Sequence, residues 1–126
     1  MRYLVSAMLV IVAVIHLLPL SGALGSDRLA LLYGLDFKEP NLAILMRHRA
    51  VLFGMLGVLM LVAAFRPAWQ ATAIAAGVAS VVSFLALAWS AGGYNAQISR
   101  VVIADGVALI CLVIALAAYI FVQRGR

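Results

Sequence analysis

The chain has 126 residues, 67% of them hydrophobic and 10% charged, with a mean hydropathy of +1.20. Soluble domains run at about 45–50% apolar and about 25% charged, so a water-soluble core is excluded and the class is integral membrane protein. Lys+Arg is 9 against Asp+Glu 4, a formal charge of +5, but the bases stand at the ends of apolar runs and not on one soluble face, which points to membrane-flanking charges and away from nucleic acid.

Four apolar runs, residues 3–20, 42–65, 68–91 and 98–122, fill most of the chain. Each is long enough, or nearly so, to cross a hydrocarbon core of about 30 Å at about 1.5 Å per helical residue. The first follows Arg2 and exits at Pro19 and a Gly/Ser cluster. Its basic start and small-residue end fit a signal peptide loosely. Because the rest of the chain is also membranous, an uncleaved first helix is the expectation.

Residues 21–41 form the one long connection, carrying Asp27, Arg28, Asp36, Lys38 and Glu39. Within it, an Asp27 cap followed by Leu29, Leu31, Leu32 and Tyr33 predicts a short amphipathic helix over 27–35, lying at the interface. Glu39-Pro40-Asn41 reads as a turn in which Asn41 caps the second helix. Arg66-Pro67 ends that helix, and Pro67 opens the third as a first-turn proline. Gly92-Gly93 stops the third helix, residues 94–97 make a polar turn, and the fourth helix leads into the basic tail Arg124-Gly125-Arg126.

The predicted fold is therefore an all-α membrane protein. It is a single domain, residues 1–126, forming a four-transmembrane-helix up-down antiparallel bundle with a short interfacial helix after the first span. An even number of spans puts both termini on one side, taken as cytoplasmic. Tyr3, Trp69 and Tyr119 belt that side, and Tyr33, Trp89 and Tyr94 belt the other. Cys111 makes no intrachain disulfide and no CxxC pair, and it reads as a small packing residue.

In such a bundle the polar residues within the runs gather at the end away from the termini. His16 lies late in the first run, and Arg47, His48 and Arg49 lie early in the second. Ser83 and Ser90 lie late in the third, and Arg100 and Asp105 early in the fourth. Ionisable groups in a span are costly and face the interior or water, so a polar vestibule is expected there. His16 is either a proton or ligand group or a histidine held by a serine or a carbonyl. Arg47 shares a helical face with Ala50, Gly54 and Gly57, where small residues let another helix approach. It is expected to point into the bundle, with interfacial anchoring as the alternative. Arg49 lies about 160° from it and is expected to snorkel to headgroups.

Asp105 stands alone as an acid inside a span. Three readings are open: a structural salt bridge with Arg47, a functional carboxylate, or a group among headgroups. The serines of the third run share a face with Ala73 and Ala76, which favours helix packing over a polar ligand track. Met46, Met55 and Met60 read as core filler. The chain has no HExxH, P-loop or paired-carboxylate set, and its first run lacks the embedded acid of small multidrug exporters.

Three features together resemble the DoxX-like group of small four-helix membrane proteins: the long first connection, the stretch Arg47-His48-Arg49-Ala50-Val51-Leu52-Phe53-Gly54-Met55-Leu56-Gly57, and a fourth helix opening with Arg100 and Asp105. The resemblance covers most of the chain. It implies a four-helix inner-membrane protein, in a group where some members are accessories of redox or maturation complexes. With one cysteine, the chain lacks what a thiol-redox member needs. The resemblance carries over no catalytic residues.

The functional expectation is a non-enzymatic binding or accessory protein of the bacterial inner (plasma) membrane. Its vestibule of His16, Arg47, His48, Asp105, Ser83 and Ser90 takes a small lipophilic or anionic ligand or a partner subunit, with no metal and no cofactor. The expected partners are the lipid bilayer, a lipid or lipophilic ligand, and a second copy or membrane subunit. Two alternatives stay open. One is an isomerase-like membrane enzyme moving protons through His16 and Asp105 on a lipid-like substrate. The other is a minimal dimeric transporter.

Overall fold

The protein is described by a computed structural model covering residues 2–18, 33 and 40–125. The described residues are all-helical, without strand. Four α-helices follow in chain order: α1 (Arg2–Leu17), α2 (Pro40–Phe65), α3 (Gln70–Ala91) and α4 (Ala96–Arg124), with a 3-10 turn at Pro67–Trp69 before α3. Runs rich in Val and Ile form helices here despite their β-branching, because in lipid only intrasegment hydrogen bonds satisfy the backbone.

Three of these helices, Pro40–Phe65, Pro67–Ala91 and Ala96–Arg124, are long and apolar enough to cross a membrane. The first is described as far as Leu18. As regular α-helix it has 16 residues, roughly 24 Å at about 1.5 Å per residue, and Leu18 already sits in a 3-10 turn. The predicted interfacial helix over 27–35 and the exit through Pro19 lie outside the described residues, Tyr33 excepted.

The helix ends follow local chemistry. α2 begins at Pro40, so Asn41 lies inside the first turn and not at the cap, a correction to the sequence expectation. Proline suits the first helical position because its missing N–H would be unpaired there anyway. Arg66 is extended at φ −130°, ψ 94°, as a residue before proline tends to be. It breaks the helix between α2 and the 3-10 turn. At the other end of α3, Gly92 (φ 62°, ψ 179°) and Gly93 (φ 61°) adopt backbone conformations that side chains disfavour. The Asn95 side chain accepts from Ile98 N at 2.8 Å and caps α4, which starts the helix two residues before the expected 98. Gly92→Ala is expected to lower stability by about 1–2 kcal/mol, read as a shift in the unfolding midpoint in detergent. An unchanged midpoint would show that the turn relaxes freely.

α1 packs on α2 and on α4, α4 packs on α3, and α2 packs on α3. The Ser6 hydroxyl, early in α1, donates to the Ala64 carbonyl late in α2. Near the other end of α1, Leu17 and Ala13 lie against Gly57. The interior is rich in small residues, including Ala13, Ala50, Ala63, Ala73, Ala108 and Ala115, around the fully buried Leu9, Met60 and Leu112. Large apolar side chains such as Leu45, Met55, Phe65, Leu87, Trp89, Ile110 and Phe121 face outward. This inverts the soluble pattern and suits lipid, which offers no hydrophobic gain for burying leucine and rewards close backbone approach. Cys111 is a free thiol buried in the same core.

Candidate functional site

A cavity of about 250 Å³ opens between the end of α1, the start of α2 and the start of α4, lined by Ile15, His16, Leu18, Tyr33, Arg49, Phe53, Gln97, Arg100, Val101, Ala104 and Asp105. Its cationic centre is Arg49. The guanidinium carbon lies 4.3 Å from the Phe53 ring centroid, 5.4 Å from that of Tyr33 and 5.7 Å from that of Phe84. It also donates a hydrogen bond to the Tyr33 hydroxyl. A planar, weakly hydrated cation tolerates such a ring-lined niche far better than an ammonium would.

Tyr33 is held at two points, by Arg49 at its hydroxyl and by the Asn95 amide, which donates to its backbone carbonyl at 2.7 Å. It is buried against Met46, Ile98 and Val101. One residue of the long connection is thereby locked onto the starts of α2 and α4. Asn95 serves both sides, with its amide nitrogen on Tyr33 and its oxygen on the first turn of α4.

His16 is 2% exposed. Its Nδ1 lies 3.0 Å from the Val12 carbonyl and its Nε2 3.3 Å from Ser80 Oγ. A carbonyl can only accept, so Nδ1 carries the hydrogen and, in the neutral ring, Nε2 accepts from the Ser80 hydroxyl. The ring is tilted against Phe53 at 5.5 Å. Both nitrogens are thus engaged inside the bundle.

Asp105 is buried at 6% exposure on the inner face of α4, covered by the neighbouring helices. The expected Arg47–Asp105 pair is not formed: no ion pair within 4 Å joins these two described residues, Arg47 is exposed, and the arginines that share a cavity with Asp105 are Arg49 and Arg100. Among the described residues the Asp105 carboxylate has no hydrogen-bond partner, and it borders the cavity. Arg49 and Asp105 therefore stand across the same space without touching as a contact pair.

The two arginines of the Arg47-His48-Arg49 triplet exchange the positions expected of them. Arg47 is exposed and Arg49 is half-buried. The inner face of α2 runs through Met46, Ala50, Phe53, Gly57, Met60 and Ala64. On a helix of about 100° per residue, Arg49 falls roughly 60° from its centre and Arg47 roughly 100°. Ala50, Gly54 and Gly57 mark one edge of that face, and reading them as its centre turned Arg47 inward.

His48, Ser83 and Ser90 are exposed and do not line the cavity. Ser83 instead donates to its own helix at the Ser80 carbonyl, 2.9 Å away. Of the predicted site residues, the fold brings together His16 and Asp105. Sequence reasoning missed Arg49 as the centre, along with Tyr33, Phe53, Phe84 and Ser80. The spacing of Arg49 and Phe53, i and i+4, was the available signal. Among the described residues, no three His, Cys, Asp or Glu side chains come together in a metal-binding group.

Comparison of the chain with protein-family models, with curated proteins and with solved structures finds no match.

Proposed function

We propose that this protein is a small membrane-bound binding protein whose Arg49 cavity takes a compact amphiphile carrying one anionic group and at least one hydrogen-bond donor. The observation that carries this reading is the charge balance of the cavity wall. Two arginines, Arg49 and Arg100, face one carboxylate, Asp105, and the remaining wall is mostly apolar or aromatic. Few convergent polar groups in an apolar concavity are the usual make-up of a small-molecule site, here at the small end of the size range. The excess cation favours an anionic headgroup, Asp105 favours a donor beside it, and Leu18, Phe53 and Val101 favour an apolar body.

Binding is preferred to the isomerase-like alternative because His16 spends both ring nitrogens on Val12 and Ser80. A proton-transfer base needs one of them free to reach substrate. The reading includes a four-span, up-down antiparallel bundle. The contacts of early α1 with late α2, and of late α1 with the middle of α2, support it. It also includes the DoxX-like resemblance, and with it a bacterial inner membrane with both termini cytoplasmic.

The test is native mass spectrometry of the full chain extracted from membranes in mild detergent. A retained small amphiphile is expected, and Arg100→Gln and Asp105→Asn should each reduce its occupancy about tenfold, as the loss of one charge-assisted hydrogen bond predicts. Arg47→Gln should leave it unchanged. A wild-type chain with no adduct, or equal retention in all three variants, removes the reading.

A further inference from the structure

A second cavity, of about 390 Å³, lies at the opposite end of the helices, where α1 begins, α2 ends and the 3-10 turn leads into α3. Arg2, Ser6, Ala64, Pro67 and Gln70 are among its walls. Gln70 is the unusual member. It is 7% exposed, and among the described residues its side-chain amide has no hydrogen-bond partner. No fully enclosed side-chain nitrogen or oxygen in the described chain lacks a partner, so the Gln70 amide reaches the cavity. A primary amide buried this far in an apolar bundle is costly unless something hydrogen-bonds to it.

The electrostatics of the walls select the sign of that partner. Arg2 supplies a full positive charge, and no acidic side chain lines the cavity. The negative end of the α2 dipole is partly covered, since the Ala64 carbonyl already accepts from Ser6. Arg66 and Arg124 end the α2 and α4 runs, at the level where cations meet headgroups.

We propose that this cavity binds a phosphate group, with Arg2 supplying the charge and the Gln70 amide a hydrogen bond. The same chemistry is offered by an anionic phospholipid headgroup and by free phosphate. The site is independent of the Arg49 cavity.

The full chain in mild detergent, titrated separately with dioleoyl phosphatidylglycerol, dioleoyl phosphatidylcholine and inorganic phosphate, tests it by thermal midpoint and native mass spectrometry. Phosphatidylglycerol is expected to bind about tenfold tighter than phosphatidylcholine. Arg2→Gln and Gln70→Leu should each abolish that preference, and Arg124→Gln, at the same level but outside the cavity, should keep it. Protection by inorganic phosphate that also displaces the lipid supports the site and assigns it to any phosphate. Protection by phosphatidylglycerol alone supports it and assigns it to the lipid. Equal binding of the two lipids, or equal loss in Arg124→Gln and Arg2→Gln, overturns the proposal. Should Gln70→Leu fail to fold, Arg2→Gln decides the matter.

Discussion

Arg49→Ala is expected to lower the stability of the helix assembly by about 3 kcal/mol. Ring contacts of this kind contribute roughly 0.5–2 kcal/mol each when desolvated, and a hydrogen bond from a charged donor roughly 1.5–3 kcal/mol. Arg49 is half-buried, stacks on Phe53, Tyr33 and Phe84, and holds Tyr33 by its hydroxyl. Removing it also takes one of the two cations from the cavity that Asp105 lines, which adds to the cost. Equilibrium unfolding from mild detergent into dodecyl sulfate measures the difference. Arg49→Lys keeps the charge but loses the planar stack, and should recover only part of the loss. Arg47→Ala, exposed on the same helix, should cost under about 1 kcal/mol. If Arg49→Ala unfolds within about 0.5 kcal/mol of the parent, the aromatic niche contributes nothing and the site model is wrong.

Gly57→Leu should cost about as much, for a steric reason. A Cβ placed at Gly57 would meet Leu17 Cγ at 2.8 Å and the Ala13 backbone carbonyl at 3.1 Å. A backbone wall cannot rotate away, so a leucine there forces α1 off α2, at the upper end of the roughly 1–3 kcal/mol typical of overpacking. Gly77 is the control. Its added Cβ would meet Met60 Cε at 2.6 Å and Leu112 Cδ2 at 3.0 Å, both flexible side-chain ends. Gly77→Ala should therefore cost about 1 kcal/mol or less as Met60 yields. Cross-linking between cysteines placed at Ser6 and Ala64, which already meet across the two helices, would follow the α1–α2 separation directly. Undiminished cross-linking in Gly57→Leu would contradict the close approach.

How far the fold was legible differs by element. Lipid forces every apolar run to close its own hydrogen bonds, so runs of 24 or so residues bounded by Arg66-Pro67, Gly92-Gly93 and the basic tail announce helices α2, α3 and α4 within two or three residues. For α1 the described helix runs to Leu17, with Leu18 in a 3-10 turn, and the expected end at Leu20 lies outside the described residues. Asn41 was misread because Pro40 and Asn41 are both good helix-start residues, and the proline takes the first position.

The site was legible in its ingredients and not in its pairing. Polar residues in runs this apolar had to gather, and His16 and Asp105 do so. Which arginine joins them depends on a helix rotation of less than half a turn, and that rotation is set by the packing of Phe53 and Gly57 against α1 and of Met60 against α3. Small-residue spacing within one helix does not contain that information. Ser83 and Ser90 illustrate the same limit, since sharing a face with Ala73 did not keep them on the buried side as α3 extends past Val81.

Composition and spacing by themselves determined the helical class and the end of the chain where charge accumulates, because hydrocarbon leaves the backbone almost no choice; of the four spans they led us to expect, three are membrane-length helices in the structure. Only the tertiary structure decided that Arg49 and not Arg47 turns inward, that Asp105 faces a cavity without a contact partner, and that His16 is bound to Val12 and Ser80. Those outcomes come from contacts between residues up to 64 positions apart, and side-chain fit between helices sets them after each helix has already formed.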